Sequence, residues 1–507
     1  MAESFQEEPH FDLSGGVNRS VSRLLMADND LKVVENGESE KIGSITKVRG
    51  YSVRGASGVN PNYNILGMVN AAQSSSGAQK QIVVCDGAAT SDAYTYNPVS
   101  DVWTAHGLSL STGSKAEFES FLDGFFMVNF TEATRFNDLT QWYTTNNVTD
   151  APKAKYIKLF LDRLYLFYVV YGGNTYTSRC VYSDLPSGPP WTLTWTNADN
   201  YFDVATDDGD QGKGLAVNSN RLLLFKHNSL FRYDTNTLYQ VSGCPGTVSH
   251  RSIGNIGGHT LYLHETGIWD YNGSTSSLIS RKIKEIIDGI STKNLDDACA
   301  WVKGDHYYLF VGDIFNPKTR LEIDNCLIDY DISKNNFHWR SLDDSILTSM
   351  LYPLDTSKIT YNDATITYDN SNTAYNGGAS AEERLFLGSS DGYVYQFENG
   401  NSYNTSDIAF SMETKDYYLG YHSFWKLIQK VNLFTDYSGK GGLVFQAKLD
   451  DNDWITLVED DNSPGWYIFP SGSLCQRIAF RIIESSSGDR FAIEGFDIYF
   501  VPSGLIR

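Results

Sequence analysis

A short hairpin motif recurs along this sequence and constrains the fold more than any other feature. Each copy has an apolar strand, a tight polar turn that begins with an aromatic residue, and a second strand that often carries Trp. Seven copies begin at Tyr96, Phe136, Tyr182, Tyr233, Tyr271, Tyr330 and Tyr395. Their mean spacing is about 50 residues. Self-similarity at a period of this size indicates an array or ring of equivalent small sheets.

A second hairpin, formed by apolar residues, a short polar turn and an alternating apolar strand, precedes most copies. Clear examples lie at 121–130, 160–169, 217–226, 256–265 and 302–311. Two hairpins per period make a four-stranded antiparallel sheet, and such sheets repeated around a central channel form a β-propeller. The sequence therefore predicts an all-β fold with seven four-stranded blades. The alternative, a string of β-sandwiches, would not repeat the aromatic turn at near-constant spacing.

The periodicity divides the chain into three parts. Residues 1–55 are an N-terminal arm, residues 56–402 the propeller, and residues 403–507 a C-terminal β module. The last part has alternating strands between Gly, Ser and Asp turns, which is typical of a small β-sandwich. The arm is polar and poorly periodic, so it cannot bury a core alone. We expect it to pack against a neighbouring subunit or against the next component of an assembly, and we expect deletion of residues 1–51 to impair assembly while leaving the propeller folded.

Helical periodicity is confined to two stretches. In residues 280–290, isoleucines fall at i, i+3, i+4 and i+7, and a weaker pattern lies near residues 19–31. Both are predicted as short helices that decorate the β-structure.

Composition excludes several classes of protein. The chain has 507 residues, a formal net charge of −21 and 14% aromatic residues. A disordered polyelectrolyte would be poor in aromatics. A sequence-reading nucleic-acid binder or a protein that docks on anionic lipid would need an excess of Lys and Arg, although a local basic patch can escape the overall count.

The sequence also bears on the compartment. The acidic N-terminus is not a signal peptide, and no apolar run approaches the roughly 20 residues of a membrane-spanning segment. The six cysteines lie tens of residues apart and form no CxxC pair. We expect them to be buried, reduced thiols in a protein that folds in a cytosol.

Catalytic and cofactor motifs are not found in the sequence. There is no GxSxG, HExxH, GxxxxGK[ST] or GxGxxG motif, and no repeated sialidase-type Asp-box. The densest acidic cluster, Asp203 with Asp207, Asp208 and Asp210, lacks the spacing of an EF-hand, so a solvated loop is favoured over a calcium site. A group of four residues, His250, His259, His264 and Glu265, is interpreted as structural. No catalytic residue, metal ligand or cofactor is predicted.

The regions that flank the propeller carry a family resemblance. The N-terminal pattern consists of Gly15, Gly16, Val17 and Asn18, then Leu24, Asp28-Asn29, Asn36 and residues 47–51. It resembles the start of tailed-bacteriophage virion proteins in which a short arm precedes a β-propeller. Residues 258–287, and residues 412–420 followed by Lys426, are similar to other parts of such proteins. The resemblance points to tail nozzle, tail hub and packaged-DNA stabilisation proteins.

That resemblance implies a structural, non-enzymatic role in the virion tail, with assembly in the host cytoplasm. Such subunits form a ring, usually six-fold, below the head-to-tail adaptor and near the portal, and tail fibres or spikes are further partners. The ring continues the DNA channel and holds packaged DNA until ejection, without sequence-specific binding. The expected assembly residues are Phe11, Gly15, Gly16, Asn18, Arg19, Leu24, Asn36, Gly50 and Tyr51.

Two other functions and a second explanation of the charge remain open. One function is a carbohydrate-binding or depolymerising propeller, which would need paired carboxylates facing one pocket. The other is a monomeric interaction scaffold that uses a propeller face. An acidic wall would repel phosphate and let DNA slide, but solubility explains the net charge equally well.

Overall fold

The computed structural model describes residues 5–22, 25–73, 79–188, 191–353, 383–420, 424–436, 442–459, 466–470, 472–485 and 490–505. Within these ranges the chain is almost entirely β, as the sequence predicts. The first strands are β1 (Gln6–His10), β2 (Leu31–Glu35), β3 (Gly37–Glu38), β4 (Ile45–Lys47) and β5 (Tyr51–Val53).

Five four-stranded antiparallel sheets follow, and in each the strands lie in chain order. The first has β6 (Ile65–Ala72), β7 (Gln79–Cys85), β8 (Asp92–Asn97) and β9 (Val102–Ala105). The second has β10 (Glu117–Phe121), β11 (Gly124–Val128), β12 (Arg135–Asn137) and β13 (Trp142–Tyr143). The third has β14 (Lys153–Phe160), β15 (Arg163–Tyr171), β16 (Asn174–Tyr182) and β17 (Tyr201–Asp203). The fourth has β18 (Gly212–Asn218), β19 (Arg221–Lys226), β20 (Leu230–Asp234) and β21 (Thr237–Gln240), and the fifth has β22 (Gly254–Ile256), β23 (His259–His264), β24 (Gly267–Tyr271) and β25 (Ser276–Leu278).

The next two blade positions are built differently. One is taken by β26 (Cys299–Lys303), β27 (His306–Asn316), β28 (Leu321–Asp331) and β29 (Asn336–Ser341), which begin a nine-stranded sheet. The other holds β30 (Ile346–Pro353), β31 (Glu383–Ser389) and β32 (Val394–Phe397), and the N-terminal strand β5 pairs with β32 as the fourth strand. Strand β30 lies beside β6, so the ring closes.

The blade count departs from the prediction. Six blades are sheets of their own, and the prediction of seven separate four-stranded blades is wrong in this respect. The remaining position is shared, because its sheet continues outward through β2 into the C-terminal strands. Hairpin motifs predict local strand pairs, but they do not show where a sheet recruits strands from distant parts of the chain.

The C-terminal strands lie in three sheets, each of which also holds N-terminal strands. They are β33 (Ser402–Tyr403), β34 (Ser406–Asp407), β35 (Phe410–Thr414), β36 (Phe424–Thr435), β37 (Leu443–Leu449), β38 (Trp454–Glu459), β39 (Trp466–Ile468), β40 (Leu474–Cys475), β41 (Ile478–Glu484) and β42 (Ala492–Leu505). Strands β35, β41, β37 and β38 extend the nine-stranded sheet beyond β2, while β1 and β4 pair with β42 in a seven-stranded sheet. Strands β33 and β34 lie at the edge of the last blade, next to β5. One apolar cluster joins the two C-terminal sheets, for example through Phe480 and Phe496, whose ring centroids lie 4.8 Å apart.

Residues 1–55 therefore have a different place from the one expected of an arm. Their strands lie in three sheets of this same chain. Leu13, Val17, Leu31 and Val34 are fully buried in the cluster that also holds Trp339. The segment contributes to the core of its own subunit.

In several repeats the aromatic turn is an Asx turn. At the end of β8, Asn97 Oδ1 accepts the backbone N–H groups of Val99 at 2.9 Å and Ser100 at 3.3 Å. Asn272 and Asp331 accept the equivalent N–H groups in later blades. This bonding replaces the strand ladder where the chain reverses, which is why Asn or Asp follows the aromatic residue.

The helix prediction is confirmed at one of its two places. A 3₁₀ turn (Ser280–Ile283) leads into α1 (Lys284–Ile287), and Ile283, Ile286 and Ile287 are buried in the core. A second helix, α2 (Thr292–Asp297), was not predicted; the Ser291 hydroxyl caps it by accepting from the Asn294 N–H at 3.2 Å. The described part of residues 19–31 has turns and the start of β2, so a helix there is wrong.

All six cysteines are free and buried, which confirms the predicted thiols. Burial raises the pKa of the Cys299 thiol to about 11 and that of Cys475 to about 12, so these thiols are poor nucleophiles. Among the helices of the described residues, none has the length and hydropathy needed to cross a membrane.

Buried histidines predict acid sensitivity. Burial lowers the pKa values of His10, His250 and His338 to about 4 each, and neither ring nitrogen of His338 has a hydrogen-bond partner among the described residues. An unfolded histidine titrates near pH 6.5, so between about pH 6.5 and 4 the unfolded chain binds more protons. Stability present above pH 6.5 is then lost as the pH falls, by on the order of 3 kcal/mol per histidine at most.

We expect the urea midpoint to fall from pH 7.5 to pH 5, and His338→Phe to make that fall shallower. Burial would lower the pKa of His306, but the hydrogen bond to Asp329 and the charges of Asp329 and Asp331 together raise it. This effect opposes the trend, so the slopes of variant and wild type are compared. The part-exposed His227→Gln is the control and should keep the wild-type slope. Equal slopes for His338→Phe and wild type would contradict this assignment.

Candidate functional site

The axis of the propeller is closed by one side chain. A 3₁₀ turn (His250–Ser252) lies between the fourth and fifth blades and places Arg251 on the axis, with its side chain 8% exposed. The guanidinium donates to Glu117 Oε1 at 2.8 Å and to the carbonyl oxygens of Leu347 at 2.9 Å, Leu66 at 2.5 Å and Ala116 at 3.1 Å. These acceptors belong to the first strands of three blades or to the residue just before one. Arg251 thus ties the blades together and separates two cavities.

The larger axial cavity has a volume of about 360 Å³. Its wall comes from the starts of the second, third and fourth blades, the 3₁₀ turn and α2. The polar and aromatic lining residues are Ser114, Lys115, Glu117, Asn129, Phe130, Thr131, Lys155, Tyr156, Lys213, His250, Arg251 and Asp296. We call this space the axial cavity.

Cations outnumber anions in this wall, although the whole chain carries −21. Lys115 pairs with Asp297 at 2.8 Å, Lys213 pairs with Asp296 at 3.0 Å, and Arg251 pairs with Glu117.

Lys155 has no carboxylate partner in the described part of the chain. Its Nζ lies 3.8 Å from the ring centroid of Tyr168 and 5.3 Å from that of Phe130. Burial, followed by the charge of Lys213, lowers the pKa of Lys155 against the opposing charge of Asp296. Lys155 is the cation of the axial cavity that makes no ion pair among the described residues.

The titratable groups of the axial cavity favour binding over proton transfer. Burial would raise the pKa of Glu117, but the charges of Arg251 and His250 outweigh it and lower that pKa. Burial lowers the pKa of His250 to about 4, so its ring is neutral at pH 7. A carboxylic acid kept protonated near neutrality, which glycosidic chemistry needs, is therefore not supplied by Glu117.

Three carboxylates of the predicted acidic cluster, those of Asp203, Asp208 and Asp210, have partners within the chain. Asp203 accepts two bonds from Arg179, at 2.7 and 2.8 Å, and Asp208 pairs with the buried Lys226. Asp210 accepts the N–H groups of His227 at 3.1 Å and Asn228 at 2.8 Å. No group of three or more His, Cys, Asp or Glu suited to a metal ion is found among the described residues.

The predicted histidine group is not one site. His259 contacts Asp270 at 2.9 Å, and His264 contacts Thr266 Oγ1 at 2.9 Å, both within the fifth blade. His250 is separate and lines the axial cavity. Its ring packs on that of Tyr156, with centroids 4.9 Å apart.

The first predicted assembly residues fasten the N-terminal segment to the shared blade. A Cβ on Gly15 would lie 2.6 Å from Asp30 Oδ1, and a Cβ on Gly16, whose φ is +70°, would lie 2.7 Å from Asn336 Cβ. Asn18 donates to Asp30 at 2.6 Å, and Arg19 pairs with Glu285 at 2.7 Å. Phe11 is half exposed. Leu24 lies outside the described residues.

Asn36, Gly50 and Tyr51 join the last blade to the C-terminal sheets. The Asn36 side chain donates to the Ala409 carbonyl at 2.7 Å and accepts from the Ser341 N–H at 3.0 Å and the Tyr403 hydroxyl at 2.9 Å. A Cβ on Gly50 would lie 1.8 Å from the Ser402 oxygen, so only glycine fits. The buried Tyr51 ring stacks on Tyr403, with centroids 4.9 Å apart. All three residues make intramolecular contacts that hold these parts of the subunit together.

The lysines of the axial cavity were missed by sequence reasoning. A signal was present, because Lys115, Lys155 and Lys213 lie within two residues of the first residue of the first strand in three consecutive blades. First strands surround the axis of a propeller, so equivalent positions in successive blades converge there. Nothing in the sequence marked Arg251.

No protein-family model matches this sequence, and no curated protein matches it. Among solved structures, the extracellular domain of a one-component system from B. thetaiotaomicron is 10% identical, with a TM-score of 0.43 over 88% of this chain. This chain spans 58% of the length of that structure. The Neurospora crassa Pan2 WD40 domain is 7% identical with a TM-score of 0.39, over 70% of this chain and 98% of that one. YCF48 bound to D1 peptide is 7% identical with a TM-score of 0.38, over 69% of this chain and 97% of that one.

Replacing Arg251 with Met should weaken the whole ring. Glu117 and three carbonyl oxygens would lose their donor in a buried place, and breaking a buried pair costs about 3–5 kcal/mol. We expect a clear fall in the urea midpoint at pH 7. Lys115→Met removes an exposed pair, which is worth about 0–1 kcal/mol, and serves as the control. Similar midpoints for the two variants would show that Arg251 does not fasten the axis.

Proposed function

We propose that this chain is a structural, non-enzymatic virion protein of a tailed bacteriophage. Copies of it would form a ring, six-fold by the family resemblance, in the nozzle or hub of the tail. The observation that carries the proposal is the role of the residues through which the sequence resembles such virion proteins. Gly16, Asn36 and Gly50 fasten the N-terminal segment to the last blades and the C-terminal sheets. The residues that carry the resemblance therefore stabilise the packing of the N-terminal segment, the blades and the C-terminal sheets into one rigid subunit.

The closed axis supports a particular arrangement of this ring. Arg251 and its four acceptors block the centre of the propeller, so DNA has no path through a single subunit. A DNA channel would lie between subunits, around the axis of the ring. The net charge of −21 suits a wall along which phosphate slides without being held.

The depolymerase alternative has less support. Glycosidic cleavage uses two carboxyl groups, one of which stays protonated near neutral pH. In the axial cavity Glu117 is held ionised by Arg251, and Asp296 is paired with Lys213. The ring-forming role does not need either group to react.

Mass photometry of the full-length protein tests the proposal against a monomeric scaffold. Samples would be measured over a range of concentrations, alone and with the head-to-tail adaptor and the neighbouring tail proteins. We expect a closed ring with a defined copy number, six by the resemblance. A stable monomer in every buffer and with every virion partner would contradict the proposal.

A further inference from the structure

The axial cavity contains a lysine without an ion pair, although the chain as a whole is strongly acidic. Lys115, Lys213 and Arg251 each have a carboxylate partner, whereas Lys155 has two aromatic rings and no carboxylate within the described residues. An ammonium group that is partly removed from water favours an anion, because the attraction is screened less there.

The backbone around Lys155 is strained where it holds this charge. Phe130 and Tyr168, the two rings that flank the ammonium group, have φ angles of +67° and +57°. Bulky residues adopt this region rarely, and such outliers gather at ligand clamps. At Tyr168 the pairing of β15 with β16 shifts register between Phe167 and Val169, as in a β-bulge that re-aims side chains.

Two hydroxyl groups in the cavity wall have protons that no acceptor among the described residues takes. The Tyr156 hydroxyl has no hydrogen-bond partner among the described residues, although its ring packs closely on His250. The Ser114 hydroxyl accepts from Thr131 Oγ1 at 3.2 Å, which leaves its own proton for another acceptor. Both residues are half-buried, so these hydroxyl groups can donate to a ligand that enters the cavity.

We propose that the axial cavity binds a small molecule that carries one carboxylate and several hydroxyl groups, the chemistry of a sugar acid. The carboxylate lies against Lys155 and accepts from the neighbouring hydroxyl groups. One lysine without an ion pair matches a single charge, whereas Asp296 and Glu117 in the same wall repel a dianion such as phosphate more strongly than a monoanion. The exposed carboxylate of Asp296 is an acceptor for the hydroxyl groups of the ligand. A volume of about 360 Å³ lies at the small end of ligand sites, which excludes a polymer passing through.

Isothermal titration calorimetry of the full-length protein with D-glucuronate tests this site. Glucose and inorganic phosphate are the comparison ligands. Lys155→Met removes the charge and keeps the apolar stem. The matched control is Lys430→Met, because Lys430 also lies over two rings, Trp466 at 3.8 Å and Tyr499 at 4.6 Å, but outside the cavity.

We expect one glucuronate per chain, at least tenfold weaker binding for Lys155→Met, and wild-type binding for Lys430→Met. Glucose should give no saturable heat, and phosphate should bind more weakly than glucuronate. The proposal is overturned if glucuronate does not bind at millimolar concentrations, if phosphate binds more tightly, or if the two lysine variants behave alike. Should Lys155→Met lose its native circular dichroism spectrum, Tyr156→Phe decides: several-fold weaker binding supports the site, and unchanged binding refutes it. The result is independent of ring formation, which mass photometry measures.

Discussion

A chain that lacks residues 1–55 will not fold into a stable propeller. The deletion removes β5, the fourth strand of the last blade, and β2, which joins the shared blade to β35. It also removes the buried side chains of Leu13, Val17, Leu31 and Val34. Each contributes about 1.5–3 kcal/mol, and the sum is comparable to the roughly 5–15 kcal/mol that holds a folded protein together.

Limited proteolysis and thermal unfolding of the truncated protein measure this effect. Deletion of residues 1–5, which leaves β1 intact, is the matched control and should retain the wild-type unfolding temperature. Adding a peptide of residues 6–55 to the longer deletion should restore protection. A 56–507 protein that unfolds at the wild-type temperature would show that the N-terminal segment is a separable arm, as the sequence had indicated.

Replacement of Arg340 with Met should cost about 3–5 kcal/mol, because it leaves buried carboxylates without their cation. Arg340 is fully buried, and its Nη2 lies 2.9 Å from Glu38, 3.5 Å from Asp329 and 3.7 Å from Glu398. Burial opposes the charge of the guanidinium, but Tyr308 and these carboxylates hold its pKa above the ordinary value. The group connects the shared blade, the last blade and the N-terminal segment.

The loss should be greater at pH 8 than at pH 5. Burial already raises the pKa of Glu38 against the effect of Arg340. Without the guanidinium that pKa rises further, so protonation relieves the variant as the pH falls. Urea midpoints at the two pH values check the direction. Arg490→Met, which removes a more exposed partner of Glu38 at 2.6 Å, should cost less, and Glu38→Gln should partly rescue Arg340→Met. Equal losses for the two arginine variants would contradict a role that depends on burial.

The blades could be predicted from the sequence because their determinants are local. In the Asx turns at Asn97, Asn272 and Asp331, the acceptor and its donors lie within a few consecutive residues, and each turn determines one hairpin. The helical turn at 280–290 was likewise visible in its isoleucine spacing. Free, buried cysteines followed from their spacing and strand contexts.

The place of the N-terminal segment could not be predicted, because its partners are hundreds of residues away. Strand β2 pairs with β29 and β35, and Tyr51 packs on Tyr395 and Tyr403. A polar, glycine-containing segment looks the same in sequence whether it packs on its own chain or on a neighbour. The need for glycine at position 50, where an added Cβ would overlap the backbone carbonyl oxygen of Ser402, is apparent only from the folded structure.

The axial cavity was hidden for the same reason. The roles of Lys155 and Arg251 depend on blades that converge on an axis, and no single repeat contains the whole of that wall. The net charge of −21 even pointed away from a cationic site. A whole-chain sum cannot reveal a local excess of one lysine.

A reconstruction of the intact phage particle, with this chain located by a tag in the exposed hairpin at Gly172 and Gly173, tests the central claim most directly. The proposed function predicts a symmetric ring of these subunits in the tail, with DNA between subunits and none through a propeller. Particles without the tag, or DNA passing along the axis that Arg251 closes, would contradict it.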